Sequence, residues 1–113
     1  MNEIDFRHRV SETFHALEES LEYQLDPQTD IDAREESLQI TLVSGQIWLL
    51  NRHTPSQEIW LSSPLKGGLH FSWCSQNQQW ISTRSSQDEL FDFLEKDLSS
   101  TLGSVLQLQK IHV

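Results

Sequence analysis

The segment from Met1 to Glu36 constrains the fold most, because it combines a helical pattern of apolar residues with a dense set of acids. Its apolar side chains recur at steps of four, four, three and four residues, at Phe6, Val10, Phe14, Leu17 and Leu21. Successive residues turn by roughly 100° about a helix axis, so these positions share one face. An amphipathic helix has to bury such a face, so the chain is predicted to pack it on a second layer.

Eleven of the 17 acidic residues but only three of the eight basic ones lie in this segment, which therefore holds nearly all of the net charge of −9. Glu18 lies on the flank of the apolar stripe. The other side of the predicted helix carries acids and two histidines: Asp5, His8, Glu12, His15, Glu19 and Glu22. Like charges one turn apart cost about 0.2–0.5 kcal/mol per pair. A cation or a basic protein surface would relieve this repulsion.

The same helix face has spacings that suit metal binding. His8 with Glu12, and His15 with Glu19, are four residues apart, so each pair could share an ion. Carboxylates and imidazoles suit divalent ions such as Fe²⁺ and Mn²⁺. Such a face would bind shallowly and weakly at several places, and the spacing alone leaves open that it is simply a solvated charged surface.

Composition excludes several classes of protein. A pI near 4.8 argues against nucleic acid as a partner, because phosphate backbones require clustered Lys and Arg. The single cysteine, Cys74, excludes an intrachain disulfide and a Cys-rich zinc site. No apolar run is long enough for a membrane span, and the N-terminus lacks a signal-like apolar core, so a cytoplasmic protein without a membrane contact is expected.

Short alternating runs after the helix predict a sheet. The helix is expected to begin after Asn2 and to end by Leu25, because Pro27 disfavours helix at the preceding residue. Six antiparallel strands are predicted near residues 30–34, 38–42, 46–52, 58–62, 69–74 and 79–84. A second helix should start at Ser86 as N-cap and stop at Gly103, and the apolar tail, residues 105–113, should dock on the body. The prediction is a single α+β domain over residues 1–113, a two-layer αβ-sandwich with both helices on one face of the sheet.

Alternation along the strands predicts which side chains face away from the helices. Placing Ile59 and Leu61 toward the helices puts Trp60 on the open face. The same argument, with the neighbouring apolar residues inward, puts five more residues outward: Trp48, Arg52, His70, Trp80 and Arg84. Exposed aromatic surface of this size usually marks a contact, although a different register, or coverage by the tail, would remove it.

No catalytic motif is present. The sequence has no GxGxxG, no P-loop and no GxSxG. Cys74 has no context that would activate its thiol, and His70 is expected to be structural or at the surface. Arg52 could clamp a carboxylate or serve as an ordinary surface residue.

A series of short motifs follows the acidic helix in a fixed order. It comprises Asp30-Ile31-Asp32, residues 38–42, Ser44-Gly45, Leu50-Asn51-Arg52, Pro55, Ile59-Trp60-Leu61, Gly67-Gly68, His70-Phe71, Trp80-Ile81 and Arg84. No single motif is specific, but the ordered series resembles the frataxin family, of the bacterial CyaY type. The resemblance covers nearly the whole chain up to the second helix.

The resemblance implies a frataxin-like fold and weak binding of iron, Fe²⁺ or Fe³⁺, in iron–sulfur cluster assembly. It implies a non-enzymatic protein that binds and regulates the cysteine desulfurase and the scaffold protein, and that supplies iron. The implied metal ligands are Glu18, Glu19, Glu22, Asp26, Asp30 and Asp32. The implied partner-binding residues are Asn51, Arg52 and Trp60. The further metal candidates on the first helix are Asp5, His8, Glu12 and His15.

Alternatives and departures accompany this reading. A weak ferroxidase or an iron-storage protein acting on Fe²⁺ at the same acids is the alternative function, and an acidic domain that binds only protein is a third. Tyr23 and Leu25 stand where relatives often carry acids, and Arg34 adds a positive charge, so a lower iron capacity is expected. A cytoplasmic bacterial monomer is expected, with iron-driven oligomers as a further expectation.

Overall fold

The chain folds as an α+β sandwich, as predicted. The structure, a computed structural model, describes residues 1–108, so the tail residues Ile111, His112 and Val113 lie outside the described residues. The elements in order are α1 (Glu3–Gln24), β1 (Asp30–Ala33), β2 (Ser37–Thr41), β3 (Ile47–His53), β4 (Glu58–Ser63), β5 (Gly67–Cys74), β6 (Gln79–Ser82) and α2 (Leu90–Leu102). The strands form one antiparallel sheet in sequence order, β1 to β6, so β1 and β6 are its edge strands.

Helix α1 begins and ends where the sequence indicates. The Asn2 side chain accepts a hydrogen bond from the backbone N–H of Asp5 at 2.8 Å, and Leu25 closes the helix two residues before Pro27. All five apolar stripe residues are buried against the sheet. The prediction of this amphipathic helix is confirmed.

Helix α2 begins later than predicted. The predicted N-cap Ser86 lies outside the helix, and Glu89 is the N-cap instead. The buried Glu89 carboxylate accepts from the backbone N–H groups of Phe91 and Asp92 at 2.8 and 3.2 Å, and so satisfies two of the N–H groups that the first turn leaves without helical partners. Gly103 ends the helix with φ 69°, a left-handed conformation that suits glycine.

Two of the predicted outward tryptophans face the core. Trp48 and Trp80 are at most 1% exposed, and their strands expose Ile47 and partly expose Ile81 instead. Each indole N–H has a partner on a helix: Trp48 donates to Asp97 and Trp80 donates to Thr13, both at 2.9 Å. Burial of these rings is therefore compatible with their polar N–H groups. The outward prediction for both is wrong, because aliphatic alternation does not fix a strand's register when a tryptophan can also be buried.

Arg52 also faces the helix side. It pairs across the sheet with the fully buried Ile59, and directly opposed residues share a face. Its side chain is 6% exposed and lies 3.9 Å from Glu35 and 3.5 Å from Glu36. The prediction that Arg52 accompanies Trp60 on the open face is wrong, since the two point to opposite sides.

The start of the tail docks on the two helices. Leu106 and Leu108 are buried, whereas Val105 is 85% exposed. Backbone groups of Gln107 exchange two hydrogen bonds with the Gln24 side chain of α1, at 2.7 and 2.8 Å. The prediction of a docked tail is confirmed for this part of it.

Candidate functional site

Six carboxylates form an acidic ridge along one edge of the molecule. Three lie on the last turns of α1, one in the following loop and two on the edge strand β1: Glu18, Glu19, Glu22, Asp26, Asp30 and Asp32. All are exposed except Glu18 and Asp32, which are partly buried. Asp30 and Asp32 pair with Thr41 and Gln39 of β2, and the neighbouring Ile31 packs toward the core. The end of α1, the loop and the edge strand bring three of these acids, Glu22, Asp26 and Asp30, around one depression.

The centre of the acidic ridge is a shallow depression of about 270 Å³ between the end of α1 and the start of β1. Glu22, Asp26 and Asp30 line it, together with apolar and loop residues. Asp26 accepts from the backbone N–H of Gln28 at 2.8 Å, which holds the loop in a turn next to Pro27. One oxygen of Asp26 is thus occupied, and its other oxygen stays available to a ligand.

Arg34, and His15 when it is protonated, can neutralise the ends of the acidic ridge. His15 lies 3.1 Å from Glu19 and 3.9 Å from Glu18, and Arg34 lies 3.2 Å from Asp32. Glu22, Asp26 and Asp30 form no ion pair with any residue between positions 1 and 108. The uncompensated negative charge is therefore concentrated at the depression.

The additional metal candidates do not converge on one point. Asp5, His8 and Glu12 line a separate open cleft of about 510 Å³, in which the Arg9 guanidinium stacks on Trp73 at 4.2 Å. His15 instead contacts the acidic ridge. Over the described part of the chain, no group of three or more His, Cys, Asp or Glu residues is arranged to hold one metal ion. Both acid sets are rows of separate carboxylates.

The open face of the sheet carries a stack of three rings. Trp60 is partly buried between His53 of β3, at 3.7 Å and 12°, and His70 of β5, at 4.2 Å and 6° between ring planes. The neighbouring Asn51 pairs directly with Trp60 and is exposed. The open-face prediction for Trp60 is confirmed, but its two ring faces are covered. Sequence reasoning missed this, because the contact depends on the cross-strand register of three strands.

Glu58 connects the three rings, through hydrogen bonds toward Trp60 and His53 and through proximity to His70. Its Oε1 atom accepts from the Trp60 indole N–H at 2.8 Å and from the Ser56 hydroxyl at 3.0 Å, and lies 3.6 Å from His70 Nδ1. Ser56 in turn lies 2.6 Å from His53 Nδ1. Because the Ser56 proton goes to Glu58, His53 has to donate from Nδ1. All three rings are thereby linked to one carboxylate.

Comparisons with known proteins agree on one family. The sequence model of the frataxin-like domain matches residues 1–104. The chain is 37% identical to the iron-sulfur cluster assembly protein CyaY of Neisseria meningitidis serogroup C, over 98% of this chain and 99% of that protein. It is 35% identical to mitochondrial frataxin of Arabidopsis thaliana, over 83% of this chain and 51% of that protein.

Solved structures show the same fold. A frataxin from Psychromonas ingrahamii matches with a TM-score of 0.85 at 24% identity, over 97% of this chain and all of that one. A trimeric frataxin from Saccharomyces cerevisiae, complexed with ferrous iron, matches with a TM-score of 0.68 at 23% identity, over 92% and 88% of the two chains. Among residues 1–108, neither helix combines the length and apolar character that crossing a membrane requires.

Proposed function

The chain belongs to the frataxin family, and on that premise we propose that it is a non-enzymatic, iron-binding component of iron–sulfur cluster assembly. Its close relatives from Neisseria carry the name iron-sulfur cluster assembly protein. We place the iron on the acidic ridge and the protein partners, a cysteine desulfurase and a scaffold protein, on the acidic ridge and the open sheet face. The proposed compartment is the bacterial cytoplasm.

The observation that carries the iron proposal is the depression lined by Glu22, Asp26 and Asp30. Their carboxylates come from a helix, a loop and an edge strand, and no cation of the described residues neutralises them. Oxygen ligands suit Fe²⁺, and an exposed site without a closed set of ligands retains water around the ion. We therefore propose weak binding, in the micromolar range or weaker, of iron that is cargo rather than a resident cofactor.

A paramagnetic titration tests the iron site. Fe²⁺ under anaerobic conditions, or Mn²⁺, should broaden the NMR signals of the acidic ridge before those of any other surface. The E22Q/D26N/D30N variant should lose this broadening, and E3Q/D5N/E12Q, which removes the same number of charges from the other end of α1, should retain it. Broadening that starts at His53 would contradict the proposal.

The partner proposal uses two surfaces. The acidic ridge suits a basic surface on the desulfurase, because complementary charge steers association. Asn51 and Trp60 offer an exposed amide and an aromatic edge on the open face, which suits the scaffold protein. Arg52 is left out of this contact, since it faces the other side of the sheet.

Enzyme assays separate this proposal from its alternative. Desulfurase turnover should change when this protein is added at fixed iron, and less so with the E18Q/E19Q/E22Q variant. Oxygen uptake with Fe²⁺ should stay at the rate of iron in buffer, whereas catalysed uptake would favour a ferroxidase. Sedimentation with and without iron tests the proposed monomer and its iron-driven oligomers.

A further inference from the structure

We propose that His53 and His70 form a clamp on Trp60 that tightens when the two imidazoles are protonated, and that this clamp regulates the open-face contact. Only the regulation rests on the proposed function. The two imidazoles cover opposite faces of the indole at 3.7 and 4.2 Å, with ring planes within 12° of parallel. Three strands contribute one ring each, so the stack is held by the register of the sheet. A partner cannot stack on Trp60 while both imidazoles are in place, and meets the edge of the stack instead.

Protonation changes the strength of this clamp. Histidine is the side chain whose charge ordinarily changes between about pH 5 and 8. A cation over a tryptophan face is attracted by the negative charge of the ring face, whereas a neutral imidazole only packs there. Protons on both histidines would therefore hold the indole between two cations.

Glu58 adds a hydrogen bond and a negative charge to the clamp. Its carboxylate is 19% exposed, and one oxygen binds the Trp60 indole N–H at 2.8 Å while lying 3.6 Å from His70 Nδ1. A proton on His70 converts this proximity into an ion pair. Oε1 of Glu58 then accepts the hydrogen bond that orients the indole and also attracts the protonated imidazole of His70.

Charged groups other than His53, His70 and Glu58 also have to be located relative to the stack. Arg52, the neighbour of His53, points to the helix side of the sheet. Both helices pack on that side, so neither faces the stack. The charged groups on the segments beside the stack are Glu35 and Glu36, which precede β2 and lie 3.9 and 3.5 Å from Arg52, and Arg84, which follows Thr83, the backbone partner of His70. The Met1 carbonyl accepts a hydrogen bond from Gln57 in the β3–β4 turn, which brings the chain terminus to this end of the sheet.

The first test measures the isolated protein. The rate at which the Trp60 indole proton exchanges with water is measured from pH 8 to pH 5.5 in the native chain and in H53Q/H70Q. The signal of this proton is assigned by its absence in Trp60→Phe. The rate in the variant, divided by that in the native chain at the same pH, should rise on the order of tenfold over this range, because each cation contributes roughly two- to fivefold. A ratio that stays the same from pH 8 to pH 5.5 would overturn the clamp.

Controls keep this result interpretable. H8Q/H15Q removes two histidines from exposed positions on α1 and should behave as the native chain. The buried indole protons of Trp48 and Trp80 report folding in every variant. Should H53Q/H70Q lose their protection, H53Q and H70Q are measured singly, each with an expected two- to fivefold change.

The second test measures regulation. A fixed indole loses less freedom when a partner binds, so affinity for the scaffold protein should rise severalfold from pH 8 to pH 6 in the native chain but not in H53Q/H70Q. The same pH dependence in both would overturn regulation by the clamp. Absence of binding at either pH, with the exchange effect present, would support the clamp and count against the open-face contact instead.

Discussion

At the scale of single residues, the tryptophans show what a sequence can and cannot predict. The open-face position of Trp60 follows from its two buried neighbours, Ile59 and Leu61. The same argument fails for Trp48 and Trp80, because a side chain on a helix accepts a hydrogen bond from each indole N–H and allows the ring to be buried. The partners Asp97 and Thr13 lie 49 and 67 residues away, so no local pattern could identify them.

Truncation of these tryptophans should separate the two environments. Trp60→Ala is expected to lower the free energy of unfolding by roughly 1–2 kcal/mol, from lost stacking on two rings. Trp48→Ala should cost about 3–5 kcal/mol, since it opens a cavity in the core. Urea denaturation of both variants measures the difference. Equal costs would show that Trp60 also belongs to the core.

Asp97 should be a sensitive position, because its carboxylate is 4% exposed and accepts from both Trp48 and Ser63. Asp97→Asn removes the charge that strengthens both hydrogen bonds and should destabilise by roughly 1–3 kcal/mol. A double-mutant cycle with Trp48→Phe isolates the shared part of this cost. Fully additive effects would mean that the two side chains are not coupled.

At the scale of elements, helix α1 was predictable because its stripe, its N-cap and Pro27 are all local signals. Helix α2 was predicted with the right end and the wrong start, since Ser86 and Glu89 both offer capping oxygens and only the fold selects between them. The six predicted strands lie close to the observed ones. Which side chains point toward the helices could not be predicted for every strand, because it depends on partners in other elements. The acidic ridge was predictable as a set of residues, but its central depression depends on how α1 meets β1.

The docked tail should stabilise the helix layer. Leu106→Ala removes apolar surface that is buried in the core and should cost roughly 2 kcal/mol, at the lower end of the range for core leucines. Val105→Ala is the matched control, since Val105 is 85% exposed and its truncation should stay within about 0.5 kcal/mol. Thermal or urea unfolding measures both. An equal effect of the two would show that the tail does not contribute to the core.

At the scale of the whole molecule, the negative charge is concentrated in the first 36 residues, and the rest of the chain is close to neutral. The first 36 residues hold nearly all of the net charge of −9, and the fold gathers much of it on the acidic ridge. The open face of the sheet lies on the side away from the helices, so the two proposed contact surfaces have different chemistry. The two proposed partners would therefore be recognised by different forces.

This asymmetry predicts how association with the desulfurase depends on salt. Exposed charges are screened over about 8–10 Å at physiological ionic strength, so affinity should fall as salt is raised from about 50 to 300 mM. In E18Q/E19Q/E22Q the affinity should be lower and the dependence on salt shallower. E3Q/D5N/E12Q changes the net charge by the same amount at the other end of α1, and should keep a dependence close to that of the native chain. If both variants reduced the salt dependence equally, net charge rather than the acidic ridge would govern the association, and an affinity independent of salt in the native chain would exclude an electrostatic contact altogether.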